Sequence, residues 1–425
     1  MSDPRTDRDV EQALREWMDQ VAPHRPPTRL LEGTFTETMR TAQVRVYPWH
    51  RVGVGRLGRT AAGSGVRVVL VVIAVLLAAA LAVALGGGGL RVTEPPIASP
   101  TPTPSAALTP SPTPGPKSSP SLPAAISVTP EASVPVQGPI AMVASGPMLW
   151  VMAPGRLDRI DPSTNAVTGS VAIGATTELY NGLAASADGL WATNGDASLL
   201  DRVDPTTLKV AAKIPAGLAA KGVLATADAV WVADVHDGSV LRFNPATNKV
   251  VETVTVGPTG TSGPNWLADG LGSIWVDIPN NGTIVRIDPV TNNVQATIPA
   301  PVNVTPCGGI AVGTAAVWVT SCSAGSILAR VDPASNTVVA TLDLRGFGYN
   351  PTLIDDVPWV SVDTGAADSG FLARIDPATN TIDRVLVPGP SFGGGGDIVL
   401  AGGSVWVVDG YNNTVLRLPF SAFVP

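Results

Sequence analysis

The stretch VWVADVHDGSVLRFNPATNKVVETVTVG, Val230 to Gly257, decides how the whole chain is read. It holds a Trp in an alternating apolar run, then R-x-[DN]-P-x-T-N, then a second alternating run, and this pattern recurs from residue 150 to the C-terminus. The Trp returns at Trp150, Trp191, Trp231, Trp275, Trp318, Trp359 and Trp406, and the Arg at Arg159, Arg202, Arg242, Arg286, Arg330, Arg374 and Arg417. Successive arginines lie 43, 40, 44, 44, 44 and 43 residues apart, which makes seven repeats. A period of about forty, written in strands of period two and punctuated by Gly, Asn-Gly and Asp-Pro turns, predicts radial repetition of small antiparallel sheets. The fold class is therefore all-β, a seven-bladed β-propeller.

Blade two shows the division: inner strand a at Gly182 to Ala185, strand b at Leu190 to Thr193, strand c at Leu199 to Asp204 and outer strand d at Lys209 to Pro215. The D-P-x-T-N element is the c–d hairpin, since Asp accepts backbone hydrogen bonds at a turn start, Pro fixes φ and Asn tolerates the left-handed conformation. A catalytic reading of Arg159 with Asp161 fails on its regularity, because a single site needs asymmetry and these residues appear in nearly every blade. The Arg is expected to make inter-blade or strand-end hydrogen bonds, and the Trp to wedge between blades as core. The seventh repeat ends in TVLRLPFSAFVP without its hairpin and outer strand, while AAISVTPEASVPVQGP precedes the first strand a. Ile126 to Val136 is accordingly expected to supply strand d of blade seven, closing the ring and removing both sheet edges.

Working outward toward the N-terminus, residues 124–425 make the propeller and 91–123 a Pro/Ser/Thr-rich stalk whose composition cannot bury a core and favours extended polyproline II. Residues 66–90 contain the uncharged run Val68 to Leu85 and read as a transmembrane helix. Residues 1–65 read as a cytoplasmic helical segment, with Val10, Leu14, Trp17 and Val21 on one helix face and a second helix after Pro26-Pro27. Arg45, Arg51, Arg56, Arg59 and Arg67 precede the span, whereas only Arg91 and Lys117 follow closely, so the positive-inside rule puts the N-terminus in the cytoplasm and the propeller outside. The protein is thus expected in the cell membrane as a single-pass chain. Across all 425 residues only 14% are charged and the net charge is −7, which offers no electrostatic grip on nucleic acid.

Two cysteines occur, Cys307 and Cys322. With the a–b hairpin of blade five turning about Thr314-Ala315, Val312 meets Val317 and Cys307 meets Cys322. Directly opposed residues lie within disulfide reach, and the expected compartment permits oxidation.

In propellers the d–a and b–c loops share one face around the central channel, and the non-repeating residues on it are the ligand-binding candidates. From d–a loops these are Asn181, Lys221, Asn265, Trp266, Tyr349, Asn350 and Asp397, beside Tyr180. From b–c loops they are His236, Asp237 and Tyr411, beside Asp363 and Asn412. Trp266 stands out as an additional Trp off the repeat positions, and an exposed aromatic with amides and hydroxyls suits a carbohydrate or a peptide; loop packing or a channel plug is the bland alternative. No nucleophile elbow, phosphate loop, HExxH or EF-hand spacing occurs, and Gly393 to Gly396 lacks the helix a phosphate site requires, so no catalytic residue, metal or cofactor is assigned.

The repeat R-[IV]-D-P-x-T-N-x-V with its preceding V-W-V resembles the YVTN-type seven-bladed propellers of bacterial surface and periplasmic proteins, and more distantly the virginiamycin B lyase-like and NHL-like propellers. The resemblance covers residues 124–425 and implies the fold with mostly binding or scaffold roles. Its lyase-like branch implies a metal-assisted elimination with a His general base, for which the repeat region offers His236 next to Asp237. The N-terminal helices and span also resemble, loosely, the membrane-bound anti-sigma arrangement, without that domain's zinc-binding His and Cys. Three functions follow as expectations: a membrane-tethered extracytoplasmic binding or protein-interaction module that signals through its N-terminal segment, a lyase-type enzyme, or a structural envelope protein.

Overall fold

The computed structural model describes residues 121–424, apart from 175–181, 261–262, 323–325 and 367. The expected cytoplasmic segment, transmembrane helix and nearly all of the stalk, together with Asn181 and Tyr180, lie outside the described residues. Among the described residues no helix is long and apolar enough to cross a membrane.

The described chain forms seven sheets, each a blade of antiparallel strands, to which N-terminal strands are added at blades six and seven. Contacts between inner strands run from each blade to the next and from blade seven back to blade one, so the ring is closed. In blade two the strands are Leu183–Ser186, Gly189–Asn194, Leu199–Asp204 and Lys209–Pro215, within a residue or so of the sequence reading at each end. Strand b is buried on both faces, as in Gly189–Asn194, Ser273–Ile278 and Ser404–Asp409, because a blade lies against each side of it. With burial on both faces these segments are continuously buried, where the sequence reading expects alternating apolar runs. Strand d meets solvent, and Lys249–Thr255 is exposed along almost its whole length.

Each repeat Trp sits directly across from the Arg of strand c, as Trp191 from Arg202 and Trp275 from Arg286. In five of these pairs the guanidinium stacks on the indole, 5.2 Å from the ring centre for Arg202 and 5.0 Å for Arg286, a cation–π contact that also desolvates the Arg. The same guanidinium then reaches the c–d turn of the next blade. Arg286 donates to the Pro333 carbonyl at 2.9 Å and the Asn336 side-chain oxygen at 3.3 Å, and Arg330 to Pro377 at 2.6 Å and Asn380 at 3.0 Å. The turn is preset to receive it. Asp332 accepts the Ala334 N–H at 3.0 Å, and Asn336 holds φ at 52°, where Asn is tolerated and most residues are strained. The repeat motif is therefore an inter-blade clip, as the sequence led us to expect. Blade two departs from it, with Leu208 in the left-handed position (φ 57°) and Gly169 leaving room for its side chain.

Ring closure differs in detail from the expectation of one long strand. Residues 126–136 divide between two blades. Ala132–Pro135 pairs antiparallel with Thr414–Pro419 as strand d of blade seven. Ala125–Val128 instead pairs parallel with Thr381–Pro388, adding a further strand to the outer edge of blade six. Pro130 lies between the two pieces, and a proline cannot donate to a ladder, which breaks the strand there. Blade seven has no D-P-x-T-N turn to clip. Arg374 of blade six accordingly bonds Asp383 of its own blade, Phe423 packs with its ring 4.7 Å from that of Trp359, and Arg384 donates to the Ala422 and Val424 carbonyls.

The Cys307–Cys322 disulfide is present, with Cα atoms 5.6 Å apart. The hairpin keeps the expected register from Val312↔Val317 to Gly309↔Thr320, and then a bulge shifts it so that Pro306 faces Ser321. Cys307 lies within this bulge, so the two cysteines do not stand opposite each other in an unbroken ladder.

Candidate functional site

On the face shared by the d–a and b–c loops, the first residues of the inner strands interlock blade by blade. The Gly222 N–H of blade three donates to the Asn265 carbonyl of blade four at 3.0 Å. The Asn265 side-chain amide and the Trp266 indole N–H both donate to the Cys307 carbonyl of blade five, at 2.8 and 3.1 Å. Gly309 of blade five lies so close to Asn350 of blade six that a Cβ there would fall 1.9 Å from its side-chain oxygen. Asn350 donates to one oxygen of Asp397 in blade seven, and the Met142 N–H of blade one to the other, each at 2.8 Å. Four candidates, Asn265, Trp266, Asn350 and Asp397, are thus spent on a collar that ties blade to blade.

Trp266 is half-buried against the core cluster between blades four and five. Its ring is covered by Lys221 of blade three, whose ammonium lies 5.5 Å from the ring centre. An open aromatic platform is therefore not what this position supplies, and the packing alternative describes Trp266 better. Elsewhere on the face, Tyr411 donates to Asp363 across blades six and seven at 3.0 Å. Tyr349 packs edge-on to Phe347 at 5.0 Å and against Gly395. The Gly393 to Gly396 run is explained by that approach, and Gly395 donates its N–H to Ser361. His236 and Asp237 sit on the b–c loop of blade three, where Asp237 faces Asp234.

Lys221 remains. Among the described residues its ammonium makes no hydrogen bond; it lies over the Trp266 ring and feels the charge of Asp277. Asp277 was not among the sequence candidates. It lies in strand b of blade four, two residues after the repeat Trp, where other blades place Met152, Thr193, Ala233, Thr320, Ser361 and Val408. A carboxylate in that register is the one signal that would have revealed it. One Asp277 oxygen accepts the Trp266 N–H at 2.6 Å; the other is buried without a partner. Burial pushes the carboxyl up to about 7, against the lowering effect of the Trp266 N–H and of Lys221. Burial likewise lowers the Lys221 ammonium, opposed by Asp277. Each group is moved toward its neutral form by desolvation and toward its charged form by the other. Burial also raises Asp234, with Asp237 adding to it, and raises Asp397 and Asp409.

Among the described residues no group of three or more His, Cys, Asp or Glu is placed to hold a metal ion. A groove of about 490 Å³ lies away from the collar, on the outer rim between blades five and six, with Leu122, Leu342 and Ile382 in its wall.

The fold and this mouth define a seven-bladed propeller, and solved structures agree. The chain is similar to virginiamycin B lyase from Staphylococcus aureus, with a TM-score of 0.56 at 16% identity over 68% of this chain and 98% of that one. It is similar also to hydrazine synthase from Kuenenia stuttgartiensis, with a TM-score of 0.56 at 13% identity over 68% of this chain and 97% of that one. At these identities the likeness is one of fold. No protein-family profile matches the chain, that of the YVTN propellers included, and no curated protein matches it.

Proposed function

We propose that this protein is a binding module, a propeller held outside the cell on a stalk and a single membrane span, that takes a small ligand at the channel mouth between blades three and four. One observation carries the reading. The Lys221 ammonium makes no hydrogen bond among the described residues, while its neighbours Asn265 and Trp266 are spent on the collar. A rigid collar with one cationic group left over is preorganised for recognition, since little has to be ordered on binding. A thermal-shift ligand screen on the full chain tests this. Hits whose shift disappears in Lys221→Met support it, and hits indifferent to every substitution on this face overturn it. Protease added to intact cells tests the placement, which requires loss of the propeller and survival of residues 1–60.

A further inference from the structure

We propose that Lys221 anchors a site for the carboxylate of a small organic acid, sugar acids included. The inference rests on the binding reading above and specifies its chemistry. The Lys221 ammonium lies over the face of the Trp266 indole, 5.5 Å from the ring centre, a contact that holds a cation without using up any of its N–H donors. The acceptors nearby are taken or shielded. The Lys221 carbonyl receives the Thr193 hydroxyl, the Cys307 carbonyl receives both Asn265 and Trp266, and the free Asp277 oxygen is sealed from solvent. An ammonium that is partly desolvated and, among the described residues, donates no hydrogen bond is costly, and an incoming anion offsets that cost.

The surroundings select the kind of anion. Asp237 and Asp363, on loops of the same face, and Asp196, on the turn of blade two packed against the Lys221 strand, are all acidic, and among the described residues of the collar Lys221 is the one cation. A phosphate dianion needs several donors or cations and meets repulsion here. A monoanionic carboxylate needs one.

The test uses the full chain in detergent micelles, with its lysines dimethylated by ¹³C-labelled formaldehyde, which keeps their charge. The chain has five, Lys117, Lys209, Lys213, Lys221 and Lys249, so each methyl signal can be assigned by substitution. Galacturonate is titrated against galactose and against sodium chloride of equal ionic strength. The expected result is a saturable shift of the Lys221 signal with galacturonate alone, weakened about tenfold or more in Lys221→Met, read there by tryptophan fluorescence, and retained in Lys221→Arg. A Lys221 signal that moves no more than those of Lys209 and Lys249, or that galactose moves equally, overturns the carboxylate site. In the galactose case the binding reading survives, and saturable change elsewhere on the face would likewise separate the two failures. No saturable change at all overturns the carboxylate site as well.

Discussion

The Arg417 guanidinium of blade seven donates to the Asn165 side-chain oxygen of blade one at 3.0 Å, and to the Pro162 carbonyl beside it at 2.6 Å. The clip that joins neighbours in sequence therefore also joins the last blade to the first, across 252 residues. Among the described clips the step from blade six to blade seven is the exception, because the outer strand of blade seven comes from the N-terminal side of the ring.

The clips should be measurable one at a time. Arg286→Ala removes two inter-blade bonds and a stacked cation, and is expected to cost about 2–3 kcal/mol. Arg374→Ala removes a bond within its own blade and should cost about 1 kcal/mol or less. Denaturant melts of the two variants check this, and equal losses would mean the clip adds nothing to ring stability.

Asp277 gives the propeller a defined pH response. Its carboxyl titrates at about 7 when folded against 3.8 unfolded, so the folded state holds the proton more tightly. Stability from this group is greatest below pH 3.8, falls as pH rises toward 7 and is flat above, a loss of at most about 4 kcal/mol. Asp277→Asn keeps an acceptor for the Trp266 N–H and removes the titration. Its melting temperature should exceed that of the parent at pH 8 and the difference should shrink or reverse by pH 4; a difference constant with pH would place the carboxyl elsewhere on the scale.

Trp266→Ala separates anchoring from recognition. Because the indole is half-buried and bonded to the Cys307 carbonyl, its removal should destabilise the fold by about 2–4 kcal/mol. It should also free Lys221 and weaken any ligand that depends on it. An unchanged melt would show that the indole is a surface group after all.

Reduction of Cys307–Cys322 should act on the same spot. The closed loop spans 15 residues, for which the chain-entropy gain is about 3 kcal/mol. Thiol titration under denaturing conditions should find no free sulfhydryl, and Cys307→Ser with Cys322→Ser should lower the melt and loosen the Trp266 environment, read by fluorescence.

Truncation resolves the two halves of the closure. A chain beginning at Pro130 keeps strand d of blade seven and loses only the parallel strand on blade six, so it should fold with a modest loss. A chain beginning at Ala141 loses both and should aggregate through the exposed edge of blade seven. If both melt alike, neither strand closes the ring.

Seven blades, the Trp and Arg positions and the c–d turn were legible in the sequence because each rests on a local rule repeated many times, and the disulfide because the only two cysteines share one hairpin. The parallel pairing of Ala125–Val128 was not, since no periodicity distinguishes a strand that joins blade six from one that joins blade seven. Nor was the collar, in which Asn350 and Asp397 look like free polar residues until blades 47 positions apart are brought together. Asp277 was hidden for a different reason. It stands inside an apolar strand, where a pattern reader counts hydrophobic neighbours and passes over the one carboxylate among them.

Pairing of residues 125–135 with residues 381–419 also fixes when the molecule can shut. Contacts of such long range are the last to form, because closing a loop of this size carries its entropic cost before any of its rewards. With the chain delivered N-terminus first, the blades condense one upon the next while the first strand waits unpaired for the last. Throughout that interval its apolar edge is open to any neighbour, and the time from first blade to final strand, rather than the strength of the finished ring, is the period in which this protein is most exposed to misassembly.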